Sequence, residues 1–324
     1  MKVLFTTYPW AFETPGGGEI QLLKYEQYLK AAGIAIIRHN PWSKELGRVD
    51  LVHFFSCMGG SVHFCNYIKS RGIPLVVSSS LWLTEESKHL YPLNEITTQL
   101  MLADNIITNG DVESDRLADI LGLDYEKFVT IRNGCDPVFT SKADPMLFRK
   151  RFRIEEDFLL NVGNIEPRKN QLNLIRAAKQ VGLPLILIGR ERDVDYADLC
   201  RTEGAGRVKF LGSIDHDDPL LRSAYAACTV FCLPSTLETP GLAALEAAAS
   251  GARIVITREG STREYFGDSV HYTDGWDVFD IVSKIKMAIE TAPNDSLRQR
   301  IAEGFTWEHT IEPLVALYRS LRKD

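Results

Sequence analysis

The chain has 324 residues, 45% of them hydrophobic and 25% charged, a composition that excludes wholesale disorder and collagen-like or fibrous architecture. Its formal net charge is −6, which argues against a nucleic-acid backbone as the main partner, since such binding rests on clustered Lys and Arg. The length suits one large barrel or two domains of roughly 150 residues each.

In chain order, the first residues, MKVLFTTYPW, lack the charged start, long apolar core and small-residue cleavage site of a secretory leader. Short β-branched runs at 2–7, 34–39, 50–55, 74–79, 105–108 and 128–131 read as strands. Helical patterns separate them, the clearest over 18–32 with Ile20, Leu23, Tyr25, Leu29 and Ala32. Residues 136–157 are polar and carry a short helix, MLFRKRF, but no strand. Its basic run, Arg149, Lys150, Arg151 and Arg153, reads as a solvated helix face. A second set of strands follows at 158–163, 184–189, 207–212, 228–234, 253–257 and 269–273.

Strand and helix alternate, and the strands are apolar nearly throughout. That pattern means parallel sheets covered on both faces, because each parallel connection needs a crossover that lays a helix on the sheet. Six strands lie on either side of a strandless break, which favours two doubly wound domains over an eightfold barrel. No apolar run approaches the roughly 18 residues that span a bilayer. The six cysteines show neither a CxxC pair nor zinc spacing, so they read as reduced, mostly buried thiols of a cytoplasmic protein.

Three segments could carry chemistry. Pro15-Gly16-Gly17-Gly18-Glu19 follows the first strand and opens a helix, where bare backbone and free N–H groups could meet an anion; a flexible turn explains it equally well. It has neither the GxGxxG of a dinucleotide site nor the pattern of a P-loop, which removes a nicotinamide-dependent oxidoreductase from the leading readings. The second segment, Gly163 to Asn170, puts Arg168 and Lys169 at the carboxyl end of a strand, a forked donor and a point charge suited to a diphosphate. The third, PSTLETPGLAALEAAASG at 234–251, reads as a helix over about 240–250 with Thr239 as N-cap and Pro240 in first position. Amides from Gly241 and Leu242 onward form an anion site. Glu238 stands before it, and Glu246 lies about 9 Å further along than Pro240 at 1.5 Å per residue. Among small apolar neighbours an unpartnered Glu246 would be costly.

These motifs together resemble the family 4 retaining glycosyltransferases of the glycosyltransferase B fold. The likeness runs through PGGGE, ADNIITNGDVESDRLA, VTIRNGCDPVF, VGNIEPRKN, RVKFLGSID and the E-x7-E pattern of LPSTLETPGLAALEAAASG. The resemblance implies an α/β chain of two Rossmann-like doubly wound parallel-sheet domains facing a cleft. The acceptor-side domain would span 1–145, the donor-side domain 155–305, and a final helix, 306–324, would return to the first domain through Trp307, Leu314, Leu317 and Leu321. Arg168 and Lys169 would bind the donor diphosphate and stabilise its departure, Glu238 would lie beside the donor sugar, and Glu246 would hold the ribose hydroxyls. Gly241 and Leu242, with Pro240 before them, would cover the sugar or phosphate. Gly17 and Gly18 would close over the diphosphate, Gly163 would leave room for it, and Arg190 would lie near the base. The implied co-substrate is a nucleotide-diphosphate sugar and the acceptor a carbohydrate or lipid-linked molecule, with no metal, no cofactor and no nucleic acid. The location would be cytoplasmic, with weak association at the inner face of the membrane. The family's first-domain histidine has no counterpart: the stretch reads VVSSSLWLTEE, with Ser79 or Ser80 at that place. A non-catalytic member serving as a binding subunit in polysaccharide assembly is the alternative.

Overall fold

The computed structural model describes residues 1–292 and 295–322. The chain forms two compact units, Met1–Asn133 together with the chain from Trp307 on, and Gly134–Thr306.

The first unit runs β1 (Lys2–Thr7), α1 (Gly17–Ala31), β2 (Ala35–Arg38), β3 (Leu51–Phe55), α2 (Val62–Ser70), β4 (Leu75–Ser78), α3 (Leu93–Leu102), β5 (Asn105–Thr108), α4 (Asp111–Leu121) and β6 (Phe128–Thr130). All pairings are parallel, in the order β2-β1-β3-β4-β5-β6, with Val3 opposite Leu51, Val52 opposite Leu75 and Val76 opposite Asn105. Every residue of β3 and β4 is buried, which is why these strands carry no polar alternation. Leu4, Val52, Phe54 and Val77 pack there against Ile68, Ile96, Leu100 and Leu117 of the helices. On α1 the buried face is Leu22, Tyr25 and Leu29 flanked by Gln21 and Glu26, whereas Ile20 is exposed.

The second unit runs α5 (Pro145–Phe152), β7 (Leu159–Val162), α6 (Gln171–Val181), β8 (Leu185–Ile188), α7 (Val194–Glu203), β9 (Val208–Phe210), α8 (Pro219–Ala227), β10 (Val230–Leu233), α9 (Leu242–Ala249), β11 (Ile254–Thr257), α10 (Thr262–Phe266), β12 (His271–Thr273), α11 (Val278–Glu290) and α12 (Asp295–Gly304). Its parallel sheet has the order β12-β11-β10-β7-β8-β9. Phe158, Leu160, Phe231 and Ile256 meet Tyr225, Leu245 and Tyr265 on one face. On the other, Leu159, Leu187 and Val255 meet Leu174, Ile175 and Ile281.

Residues 134–145, expected in the first domain, belong to the second unit. Cys135 N–H donates to the Phe305 carbonyl at 2.9 Å, and the apolar side chain of Phe139 is wholly buried in the second core, which removes it from water. Arg149 likewise does more than face solvent, since its guanidinium donates to the carbonyls of Glu156 (2.9 Å) and Ala227 (3.1 Å).

The chain then returns to the first unit as α13 (Trp307–Ser320). Its buried stripe is Trp307, Ile311, Leu314 and Tyr318, while Leu317 and Leu321 are only half-buried. The stripe turns toward Tyr318 because its hydroxyl finds a partner: it lies 2.5 Å from Nδ1 of the buried His53, whose Nε2 is 2.8 Å from Ser78 Oγ. Trp307 meets the ring of Tyr25 edge-on at 6.1 Å.

Candidate functional site

In a doubly wound sheet, ligands bind outside the carboxyl ends of the strands where the strand order reverses. In the second unit that point lies between β7 and β10, hydrogen-bonded neighbours from which the chain winds outward in opposite directions. The loops leaving these two strands are 163–170 and 234–241, the segments singled out in the sequence.

The β7 loop is held close to its neighbour. Ile165 N–H donates to the Arg190 carbonyl at 2.8 Å, and a β-carbon on Gly189 would stand 1.9 Å from the Gly163 carbonyl oxygen, so only glycine fits at 189. Pro167–Lys169 form a single 3-10 turn. Asn170 then clamps the second loop, its Nδ2 donating to the carbonyls of Pro234 (2.9 Å) and Gly275 (2.6 Å). The β10 loop is fixed on both sides: Thr236 N–H donates to the Arg168 carbonyl at 2.9 Å, and the Glu238 carbonyl accepts from Ser261 N–H at 3.1 Å.

These restraints bring two cations onto one buried carboxylate. Lys169 Nζ lies 2.6 Å from Glu238 Oε1, and Arg168 Nη1 lies 3.8 Å from the same oxygen while donating to the Leu237 carbonyl at 3.1 Å. The guanidinium also reaches Glu166 Oε1 at 3.3 Å, and Arg192 approaches the other Glu166 oxygen at 3.2 Å. Burial pushes the Glu238 carboxyl up, but the charges of Lys169 and Arg168 outweigh it and hold it below the usual carboxylate range. The Lys169 ammonium is pushed down by burial, which Glu238 only partly reverses.

Helix α9 starts later than the sequence suggests. The Thr239–Pro240 peptide is cis and Gly241 has φ +88°, a left-handed conformation that no helix interior admits. The N-cap is therefore Gly241 instead of Thr239, Pro240 lies outside the helix, and Leu242 is its first residue. The amides of Leu242 and Ala243 precede the first intrahelical bonds, which run from Ala244 and Leu245 to the Gly241 carbonyl, and so form an electropositive end beside Glu238.

Glu246, one turn into α9, is buried and partnered. Its Oε2 accepts from the Tyr225 hydroxyl at 2.7 Å and its Oε1 lies 3.3 Å from His216 Nδ1. The other ring nitrogen, Nε2, contacts Asp136 Oδ2. His216 and Tyr225 were not identified from sequence, since they lie on a loop and a helix with no motif of their own; Asp136 appeared only as the last residue of NGCD.

The second unit thus gathers Gly163, Arg168, Lys169, Glu238, Pro240, Gly241, Leu242 and Glu246 on the loops and helix that leave β7 and β10. Arg190 follows β8 with an exposed side chain. Gly17 and Gly18 belong to the first unit, where they open α1 behind Gly16, whose N–H is capped by Glu19 Oε2 at 2.7 Å. Trp10, Phe12 and Trp42 on the loops after β1 and β2 are exposed. Among the described residues no cluster of His, Cys, Asp or Glu is arranged to hold a metal ion, and no helix is long and apolar enough to cross a membrane.

Residues 145–304 match the family described as glycosyl transferases group 1. D-inositol 3-phosphate glycosyltransferase of Kribbella flavida is 30% identical over 243 residues, covering 67% of this chain and 57% of that protein. O-antigen chain mannosyltransferase B of Escherichia coli is 28% identical over 236 residues, covering 67% of this chain and 60% of its own length. The match therefore spans little more than half of these relatives. Among solved structures, Anabaena Alr3699/HepE in complex with UDP and glucose superposes with a TM-score of 0.78 at 19% identity, covering 99% of this chain and 100% of that one. A glycosyltransferase from Rickettsia africae gives 0.79 at 14% identity, covering 99% and 98%. Residues 145–304 are thus similar to the group 1 glycosyl transferases, and the chain's two six-stranded Rossmann-like units are those of the GT-B glycosyltransferase fold.

Proposed function

We propose that the protein is a family 4 retaining glycosyltransferase that moves a sugar from a nucleotide-diphosphate sugar to a carbohydrate or lipid-linked acceptor in cell-surface polysaccharide or glycolipid synthesis. The observation that carries the reading is the convergence of Arg168 and Lys169 on Glu238 beside the start of α9, at the strand-order reversal. Two cations and free helix amides at one point suit a diphosphate. As the bond from the anomeric carbon to the diphosphate breaks, negative charge grows on the leaving oxygens, and Lys169 and Arg168 stabilise it in place. The acceptor oxygen bonds to the same face of that carbon, and its proton passes to the departing phosphate. Glu238 borders the sugar and tethers Lys169. Gly241 and Leu242 offer amides, Gly163 gives the ligand close access to the backbone, Glu246 accepts from the ribose hydroxyls, and Arg190 borders the base. The reaction needs no metal in this scheme, because the cations are the protein's own.

A panel of nucleotide sugars in a thermal-shift assay is expected to yield one donor that stabilises the protein. Calorimetry with that donor should show Lys169→Ala and Glu246→Ala each weakening binding about tenfold or more, the scale of a lost hydrogen bond to a charged group. Unchanged affinity in both variants would overturn the assignment.

A further inference from the structure

His216 stands in the loop just before α8, with 28% of its side chain exposed. The edge of its ring packs against Phe139 at a centroid distance of 5.1 Å, while its two ring nitrogens face two carboxylates, Asp136 at Nε2 and Glu246 at Nδ1. Carboxylates only accept, so one imidazole serves both only when each nitrogen carries a hydrogen. The second oxygen of Glu246 is taken by the Tyr225 hydroxyl. Burial and the charge of Glu246 push that hydroxyl well above its ordinary range, so it remains a donor. Both Glu246 oxygens are thus restrained from α8 and the loop before it. Asp136 is itself anchored, since its carbonyl accepts from Phe139 N–H at 3.0 Å.

A glutamate has three rotatable side-chain bonds, and ordering it at the moment of binding costs free energy that a preset carboxylate does not spend. We infer that His216 is a positioning residue for nucleotide recognition: bridging Asp136 and Glu246, it presents the Glu246 carboxylate to the ribose hydroxyls. The inference rests on the proposed role of Glu246.

The test is calorimetry with UDP and GDP, each beside its 2′,3′-dideoxy counterpart, on wild type, Glu246→Gln, His216→Phe and the double variant. Far-UV circular dichroism checks the fold, and His216→Gln takes the place of His216→Phe if the latter is unfolded. For the ribonucleotide that wild type binds, His216→Phe should weaken affinity about tenfold. The loss should vanish for the dideoxy counterpart, and the double variant should lose no more than Glu246→Gln alone. Wild-type affinity in Glu246→Gln, or no binding of either ribonucleotide by wild type, would overturn the ribose reading and the inference with it. If Glu246→Gln is weakened, three outcomes would refute the positioning role alone: full affinity in His216→Phe, an equal loss with the dideoxy nucleotide, or additive losses.

Discussion

Lys169 and Glu238 depend on each other for their charge. Each is withdrawn from water, and each is kept ionised chiefly by its partner 2.6 Å away. Removing one member of such a pair leaves the other as an uncompensated buried charge, which is why a substitution at Glu238 should be felt at Lys169. In the wild type the ammonium already lies below its ordinary range, through burial that Glu238 opposes. Glu238→Gln deletes the opposing influence, so Lys169 should lose its proton at a lower pH still. If transfer needs the ammonium, activity is retained below that pKa and falls as pH rises through it. The basic limb of the kcat/KM profile should therefore move to lower pH in Glu238→Gln, because the nearby charge that favours the ammonium is gone. A basic limb at its original pH would show that Lys169 does not set the rate.

Elements differed in how far they could be read before folding. All twelve strands lie where the apolar runs put them, because a parallel sheet covered on both faces requires near-continuous apolar sequence and little else has that appearance. Helix starts were less legible. The Thr239–Pro240 pattern obeys local capping rules, yet α9 begins at Leu242, since the backbone of Glu238 is bridged to that of Gly260 and the chain must turn through Gly241 to reach the helix. That constraint comes from residues about twenty positions away and leaves no local signature. Gly241 carries the consequence: at φ +88°, a β-carbon would strain the backbone and stand 2.9 Å from Leu233 Cδ2 and 3.3 Å from Glu238 Oε2. Gly241→Ala should cost about 1 kcal/mol or more in stability, measured by denaturant unfolding. It should also weaken donor binding by displacing the carboxylate that orients Lys169. Wild-type affinity in a variant destabilised to that degree would separate the start of α9 from the ligand site.

Across the whole molecule, the sequence revealed the loops of the site but not its supports. Asp136, His216 and Tyr225 come from three separate segments and meet at Glu246 only once the second unit has folded. The first unit has a similar long-range junction in His53, which joins β3 and β4 to α13 across 265 residues of sequence. Each hydrophobic cluster draws on one unit alone, so the stability of the two units should respond to different titrating groups. Complete burial pushes the pKa of His53 down from 6.5 to about 3, and the ring stays neutral in the folded chain. Below pH 6.5 the unfolded chain binds a proton that the folded chain refuses, so stability falls with pH until about 3 and is fully present above 6.5. Each pH unit in that window costs about 1.4 kcal/mol, so moving from neutral pH to pH 5 should remove about 2 kcal/mol from the first unit. His53→Gln keeps a donor and an acceptor for Tyr318 and Ser78 but takes up no proton. It should be less stable at neutral pH and lose less on acidification. Thermal unfolding with and without a nucleotide identifies the units, because a ligand of the second unit raises only that unit's transition. If the nucleotide-insensitive transition fell equally with acid in both proteins, His53 would not be its titrating group.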